Sequence, residues 1–232
     1  MTRGSLDVCW RSFGGVTGRF SVRYPSGGSL STLDIPAGLY LTLEDLAAAM
    51  HSLLQGVNVN LSCTVSGDVI TVASTGAAFD LYVTSLTLRA WLGLSVPAAS
   101  ILSANARAPM RFLSSVPWGG EEHTHVRLRR SATLAHNQVG AVTLSTGLEH
   151  RWLLTLTRAE LARFRFVASA LLRGLPGYCK PDFSNVGIWE WDNRGGGFPC
   201  VAAPGWRDYA DRWANDTCHL VMQLPVVLRE VP

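Results

Sequence analysis

Leu43-Glu44-Asp45-Leu46-Ala47-Ala48-Ala49-Met50-His51-Ser52-Leu53-Leu54 is followed, after Gly56, by Val57-Asn58-Val59-Asn60-Leu61-Ser62-Cys63-Thr64-Val65. In the first stretch Leu43, Leu46, Ala47, Met50, Leu53 and Leu54 recur at i, i+3, i+4, i+7, i+10 and i+11, which is one apolar stripe along a helix. Thr42 can cap that helix with Asp45 in a capping box, Glu44 and Asp45 favour its positive end, and Gly56 stops it. The second stretch alternates apolar and polar residues, the period of a half-buried strand, and ends at the turn Ser66-Gly67-Asp68. A striped helix beside an alternating hairpin predicts an α+β unit in which the helix packs on a sheet.

Working outward, the extended piece Thr32-Leu33-Asp34-Ile35 and the turn Pro36-Ala37-Gly38 precede the helix. The return strand Val69 to Ala73 and a strand Phe79-Asp80-Leu81-Tyr82-Val83 follow it. A short helix capped by Thr84 or Ser85 carries Leu88, Trp91 and Leu92 inward and stops at Gly93. The pattern weakens from Ser95 to Trp118, with Pro97, Pro109, Pro117 and the small residues Ser103-Ala104-Asn105-Ala106, so the domain boundary is expected there. The expected division is an N-terminal α+β module over 1-105 and a β-rich domain over 106-232.

The second half has strand-like runs at His123 to Leu134, Gly140 to Leu144 and His150 to Leu156, separated by turns at Ala135-His136-Asn137-Gln138 and Ser145-Thr146-Gly147. Thr157-Arg158-Ala159-Glu160 is a capping box opening a helix over 158-172 whose stripe is Leu161, Phe164, Ala168, Leu171 and Leu172. After a stretch rich in Trp, Gly and Pro, a closing strand is expected near His219 to Leu228, with Pro225 demoting part of it to an edge. The fold class is therefore α+β and β-rich: a small strand-helix-hairpin-strand-helix domain, then a β-rich domain with one main helix.

The 232 residues are 47% hydrophobic and 16% charged with a formal net charge of +3, which suits a packed core and excludes disorder. No apolar run is long enough to span a membrane and the start lacks a signal-peptide block, so folding in a cytoplasm without a membrane is expected. Basic residues are mixed with acids except near Arg127, Arg129 and Arg130, so a nucleic-acid partner is not expected. Five scattered cysteines without a C-x-x-C pair are expected to be buried thiols in place of structural disulfides.

Residues that could carry chemistry are few. Glu121, Glu122, His123 and His125 alternate as two imidazoles on one strand face would, but two ligands make no metal site without His136, His150 or His219, and a solvated strand start is the expected role. Glu190 and Asp192, with Trp189 and Trp191 on the opposite face if the segment is extended, have the paired carboxylates of a glycosidase cleft, yet an ordinary two-faced strand explains them more simply. No nucleophile elbow, P-loop or zinc-protease helix motif is present, and no catalytic residue, metal or cofactor is expected.

Ile35-Pro36-Ala37-Gly38-Leu39-Tyr40, the Leu43-to-Leu54 helix, the hairpin to Ala73, Phe79-Asp80-Leu81 and Leu92-Gly93-Leu94 resemble, in order and spacing, a module of tailed-bacteriophage structural proteins. The resemblance covers about 60 residues, and the second half is similar in layout to tail and baseplate subunits. It implies a non-enzymatic structural subunit of the tail or baseplate, located in the virion and in the host cytoplasm during assembly, whose partners are other copies of itself and other virion structural proteins. Trp118, Trp189, Trp191, Trp206 and Trp213 are the expected contact residues, because Trp is enriched where interfaces bury surface. The alternatives are head or neck decoration, and a carbohydrate- or receptor-binding module in which those tryptophans stack on sugars while Asp192, Asn193 and Asp208 bind hydroxyls.

Overall fold

The structure, a computed structural model, describes residues 4–8, 10–94, 97–114, 118–134, 138–180, 197–204, 206 and 221–231, with backbone alone at 10–13, 119–134, 138–147 and 221–222. Its strands are β1 (Ser5–Val8), β2 (Trp10–Phe13), β3 (Arg19–Arg23), β4 (Leu30–Asp34), β5 (Gly38–Tyr40), β6 (Leu61–Ser66), β7 (Val69–Ser74), β8 (Phe79–Tyr82), β9 (Ala98–Ile101), β10 (Ser103–Arg107), β11 (Arg111–Leu113), β12 (Gly119–Leu134), β13 (Gln138–Thr157), β14 (Gly177–Lys180), β15 (Phe198–Ala202) and β16 (Val221–Glu230). Its helices are α1 (Leu43–Val57), α2 (Leu86–Leu92) and α3 (Arg158–Leu172). The fold is mixed α+β and strand-rich, as the sequence predicts. A seven-stranded sheet has the order β11-β1-β14-β15-β16-β13-β12, and smaller sheets run β4-β3-β8-β9, β10-β7-β6 and β2-β5.

Each helix begins where local chemistry can satisfy its first N–H groups. The Asp45 N–H donates to Thr42 Oγ1 at 3.2 Å while the Thr42 N–H donates to Asp45 Oδ2 at 2.9 Å. Thr157 and Glu160 form the same reciprocal pair at α3, and Ser85 caps α2 through the Leu88 N–H. Gly93 ends α2 at φ 69°, and a Cβ there would stand 2.3 Å from the Arg107 carbonyl oxygen, so only glycine fits this close approach. Leu43, Leu46, Ala47, Met50 and Leu54 are the buried face of α1, the stripe predicted from spacing.

Three local expectations are corrected. Val57 closes α1 and the hairpin strand starts at Leu61, because Asn58 caps the helix through the Leu54 carbonyl and its Oδ1 accepts the Asn60 N–H at 2.9 Å. Ser145-Thr146-Gly147 is not a turn: β13 runs through it, and the register shift between Leu128 and Arg129, which pair with Ser145 and Thr143, leaves one extra residue on β13 as a bulge. The small-residue stretch 103–107 is not a linker but β10, which pairs along its length with β7. The Pro225 expectation is more nearly met: β15 pairs with β16 only at Leu228 to Glu230, so among the described residues no strand pairs with Pro225 on that side.

The division at 105/106 is crossed by the chain itself. β1 lies between β11 and β14 in the sheet of the second half, and β10 carries the sheet of the first half on to Arg107. The buried apolar side chains form one continuous cluster, including Leu6, Val8, Met50, Phe112, Phe164 and Leu171. Trp91 of α2 meets Phe166 of α3 edge-on at 5.9 Å, and Arg163 of α3 reaches Asp68 in the hairpin turn at 3.3 Å.

Arg111 joins these parts. Its Nε donates to Asp7 Oδ1 at 2.7 Å, Nη2 to Asp7 Oδ2 at 2.6 Å and to Glu44, and Nη1 to Glu44 Oε1 at 2.6 Å and to the Gly67 carbonyl at 3.0 Å. Asp7 also accepts the Leu43 N–H at 3.1 Å, so a β1 carboxylate caps the first turn of α1. Burial acts to raise the Glu44 carboxyl, but hydrogen bonding and charge from Arg111 outweigh it and hold Glu44 below its ordinary value. Asp7 and Arg111 are almost wholly buried, so removing one partner strands the other charge. Arg111→Met should cost about 3–5 kcal/mol in urea unfolding, and Asp7→Asn combined with Arg111→Met should cost less than the two single changes summed.

Asp80 of β8 is a second buried carboxylate, 4% exposed. It accepts from Ser26 Oγ, from the Ser100 N–H at 2.7 Å and from the Gly27 N–H at 3.2 Å, and these bonds hold it below the usual carboxylate value. A folded-state value depressed below the unfolded one stabilises fully above the unfolded value of about 3.9 and fades as pH falls through the folded value. Asp80→Asn should therefore lower the melting temperature at neutral pH and flatten its decline below about pH 4, followed by differential scanning calorimetry.

Candidate functional site

β12 and β13 form a hairpin much longer than the sheet it leaves. β16 pairs with β13 from Thr157↔Val221 to Glu149↔Arg229 and ends there. Beyond it, ten register pairs, His125↔Leu148 to Leu134↔Gln138, continue as a two-stranded ribbon with no third strand among the described residues. At the strand rise the ribbon is roughly 30 Å long. Sequence reasoning identified both strands but divided β13 at the bulge, and so missed the arm.

The root of the arm is held firmly. His150, fully buried, places Nε2 3.0 Å from Glu230 Oε1, stacks on Trp152 at 5.3 Å and 7°, and meets Phe198 at 4.6 Å. Trp118 closes on Trp152 at 5.3 Å in an edge contact. Arg229 bonds Glu149 at 3.2 Å at the last three-stranded position. Aromatic pairs of this kind each add about 0.5–1.5 kcal/mol beyond area burial, so the arm emerges from a rigid base.

The residues singled out from sequence are distributed unevenly. Trp118 and Trp206, expected at contacts between copies, are taken up within the chain at 9% and 6% exposure. Trp206 packs near Phe164 and donates its indole N–H to the Pro225 carbonyl at 3.0 Å, on the side of β16 that β15 does not reach. The Trp118 Nε1 is buried with no acceptor among the described residues. These two cannot offer surface without unfolding their surroundings. Trp189, Trp191, Trp213, Glu190, Asp192, Asn193, Asp208, His136 and His219 lie outside the described residues.

Glu121, Glu122, His123 and His125 fall on β12 at the arm's root, and His123 pairs in register with His150. Among the described residues no group of three or more His, Cys, Asp or Glu is placed to hold a metal. Cys63, Cys179 and Cys200 are buried thiols outside any disulfide, as expected, and burial pushes Cys63 up to about 12. No helix among the described residues is long and apolar enough to cross a membrane. The chain matches no protein-family model, no curated protein and no solved structure.

The two described tryptophans separate packing from hydrogen bonding. Trp206→Phe breaks the bond to Pro225, whereas Trp118→Phe removes an N–H that has no acceptor among the described residues. In urea unfolding Trp206→Phe should be the more destabilising by about 1 kcal/mol.

Proposed function

We propose that the chain is a non-enzymatic structural subunit of a tailed-phage particle, in the tail or baseplate, acting through packing against other copies of itself and other virion proteins. The observation that carries this reading is the ribbon beyond the last β16 pair. A two-stranded ribbon is marginally stable alone in water, and its edges present rows of backbone donors and acceptors to any neighbour. A long arm on a packed base is suited to reaching across a subunit boundary, and no described strand of this chain pairs along it. The order of elements from Ile35 to Leu94, which resembles a phage structural module, supports the same assignment.

Replacing residues 126–147 with a two-residue Asn-Gly turn closes the hairpin at the His125↔Leu148 pair. The shortened chain should keep its circular dichroism and melting temperature but be missing from purified particles when peptides are counted by mass spectrometry. Incorporation at the unaltered copy number would overturn the assignment of the arm.

A further inference from the structure

We propose that His123, His150 and Glu230 bind one divalent transition-metal ion of the zinc type at the root of the arm. The three residues stand on β12, β13 and β16, which are consecutive strands of the seven-stranded sheet. Glu230 is the last residue of β16, so the ion ties the arm's two strands to the end of the third.

Two of the ligands are already together. His150 places Nε2 3.0 Å from Glu230 Oε1, and its ring is held by Trp152, stacked at 5.3 Å and 7°, and by Phe198 at 4.6 Å. Zinc bonds to imidazole nitrogen and carboxylate oxygen are about 2.0–2.1 Å long, so two ligands of a tetrahedral ion lie roughly 3.3 Å apart. The pair therefore opens by only about 0.3 Å to admit the ion. The His150 side chain is fully buried and that of Glu230 is 17% exposed, so the ion enters from the Glu230 side, where water can take the fourth position.

Among the described residues no third ligand completes this pair, and the backbone register of β12 supplies one. His123 is the direct cross-strand partner of His150. Directly opposed residues of an antiparallel pair have Cβ atoms about 4.5–5.5 Å apart, a spacing at which two imidazoles can share one ion. Spacing in sequence left the pair of His123 and His125 without a third member. Folding adds His150, and it does so at His123, because His125 is opposite Leu148. Two imidazoles and a carboxylate are the donor set of a zinc site with an open position, and imidazole selects first-row ions over calcium and magnesium.

The test uses the full purified chain, stripped of metal with a chelator and kept reduced. Zinc should bind at one equivalent by isothermal titration calorimetry and raise the melting temperature. Loss of an outer-shell partner alone costs about 10–100-fold in metal affinity, so His123→Ala and Glu230→Gln, each removing a ligand, should weaken binding by about 100-fold or more. Both leave the buried His150 in place, and their circular dichroism without metal should match that of the unaltered chain. His125→Ala should leave the affinity unchanged. X-ray absorption of the zinc-loaded unaltered chain decides the ligands without any variant: imidazole nitrogen and oxygen support the site, and sulfur overturns it. No zinc uptake, or uptake unmoved by both His123→Ala and Glu230→Gln, would overturn the site and leave His150 and Glu230 as a structural hydrogen bond. Loss of binding in His125→Ala with His123→Ala silent would overturn it as well. Each result is read on the isolated chain, so failure of the metal site leaves the assembly reading standing.

Discussion

Arg111 directs its guanidinium N–H groups to Asp7, Glu44 and the Gly67 carbonyl, tying the first strand, the start of α1 and the tip of the β6–β7 hairpin to one side chain. A buried charge network of this kind adds little net stability over apolar packing, but it penalises every arrangement that leaves a member without its partner. Here that penalty fixes where β1 goes. Asp7 must meet both Arg111 and the Leu43 N–H, which sets β1 between β11 and β14 and sets α1 against the same corner. The remainder of the core, with Phe112 edge-on to Phe164 at 5.1 Å, closes around that placement.

The seven-stranded sheet is unequal at its two ends. At the β11 end it is buried against α3 and tied by the charge network, whereas at the β12 end its last two strands outrun β16. The change occurs at the Glu149↔Arg229 pair, immediately after the packed group of His150, Trp152, Phe198 and Trp118. Packed aromatic residues hold the root, and beyond it the two strands continue with no third strand beside them among the described residues. This ribbon is the feature on which the proposed assembly role rests.

Much of the fold was legible where the signal was local. The capping boxes at Thr42 and Thr157, the stop at Gly93 and the stripes of α1 and α3 each depend on residues within a few positions of one another, so spacing alone identified them. The buried thiols followed from cysteine number and scatter. Legibility failed where a residue's role came from a distant strand. Ser103 to Arg107 has the small residues of a linker and becomes a strand because β7 is beside it. Trp206 looked available for a partner, and its indole instead meets the Pro225 carbonyl.

By itself the sequence determined the class of this protein and its strongest local signals: among the described residues the three helices with their starts, the β6–β7 hairpin, β8 and most of β12, β13 and β16, in a β-rich α+β chain with ample core, but not β1 to β3, β9 to β11, β14 or β15. Those features rest on backbone propensity, capping and hydrophobic period, which act over a turn of helix or a pair of strand residues. Only the tertiary structure decided that β1 joins the sheet of the second half, that Asp7, Glu44 and Arg111 meet, and that β12 and β13 continue past β16 as an arm. Each is a choice of partner between residues far apart in the chain. Many pairings are compatible with one alternating pattern, and the choice favours the arrangement that leaves the fewest buried charges and backbone groups unsatisfied.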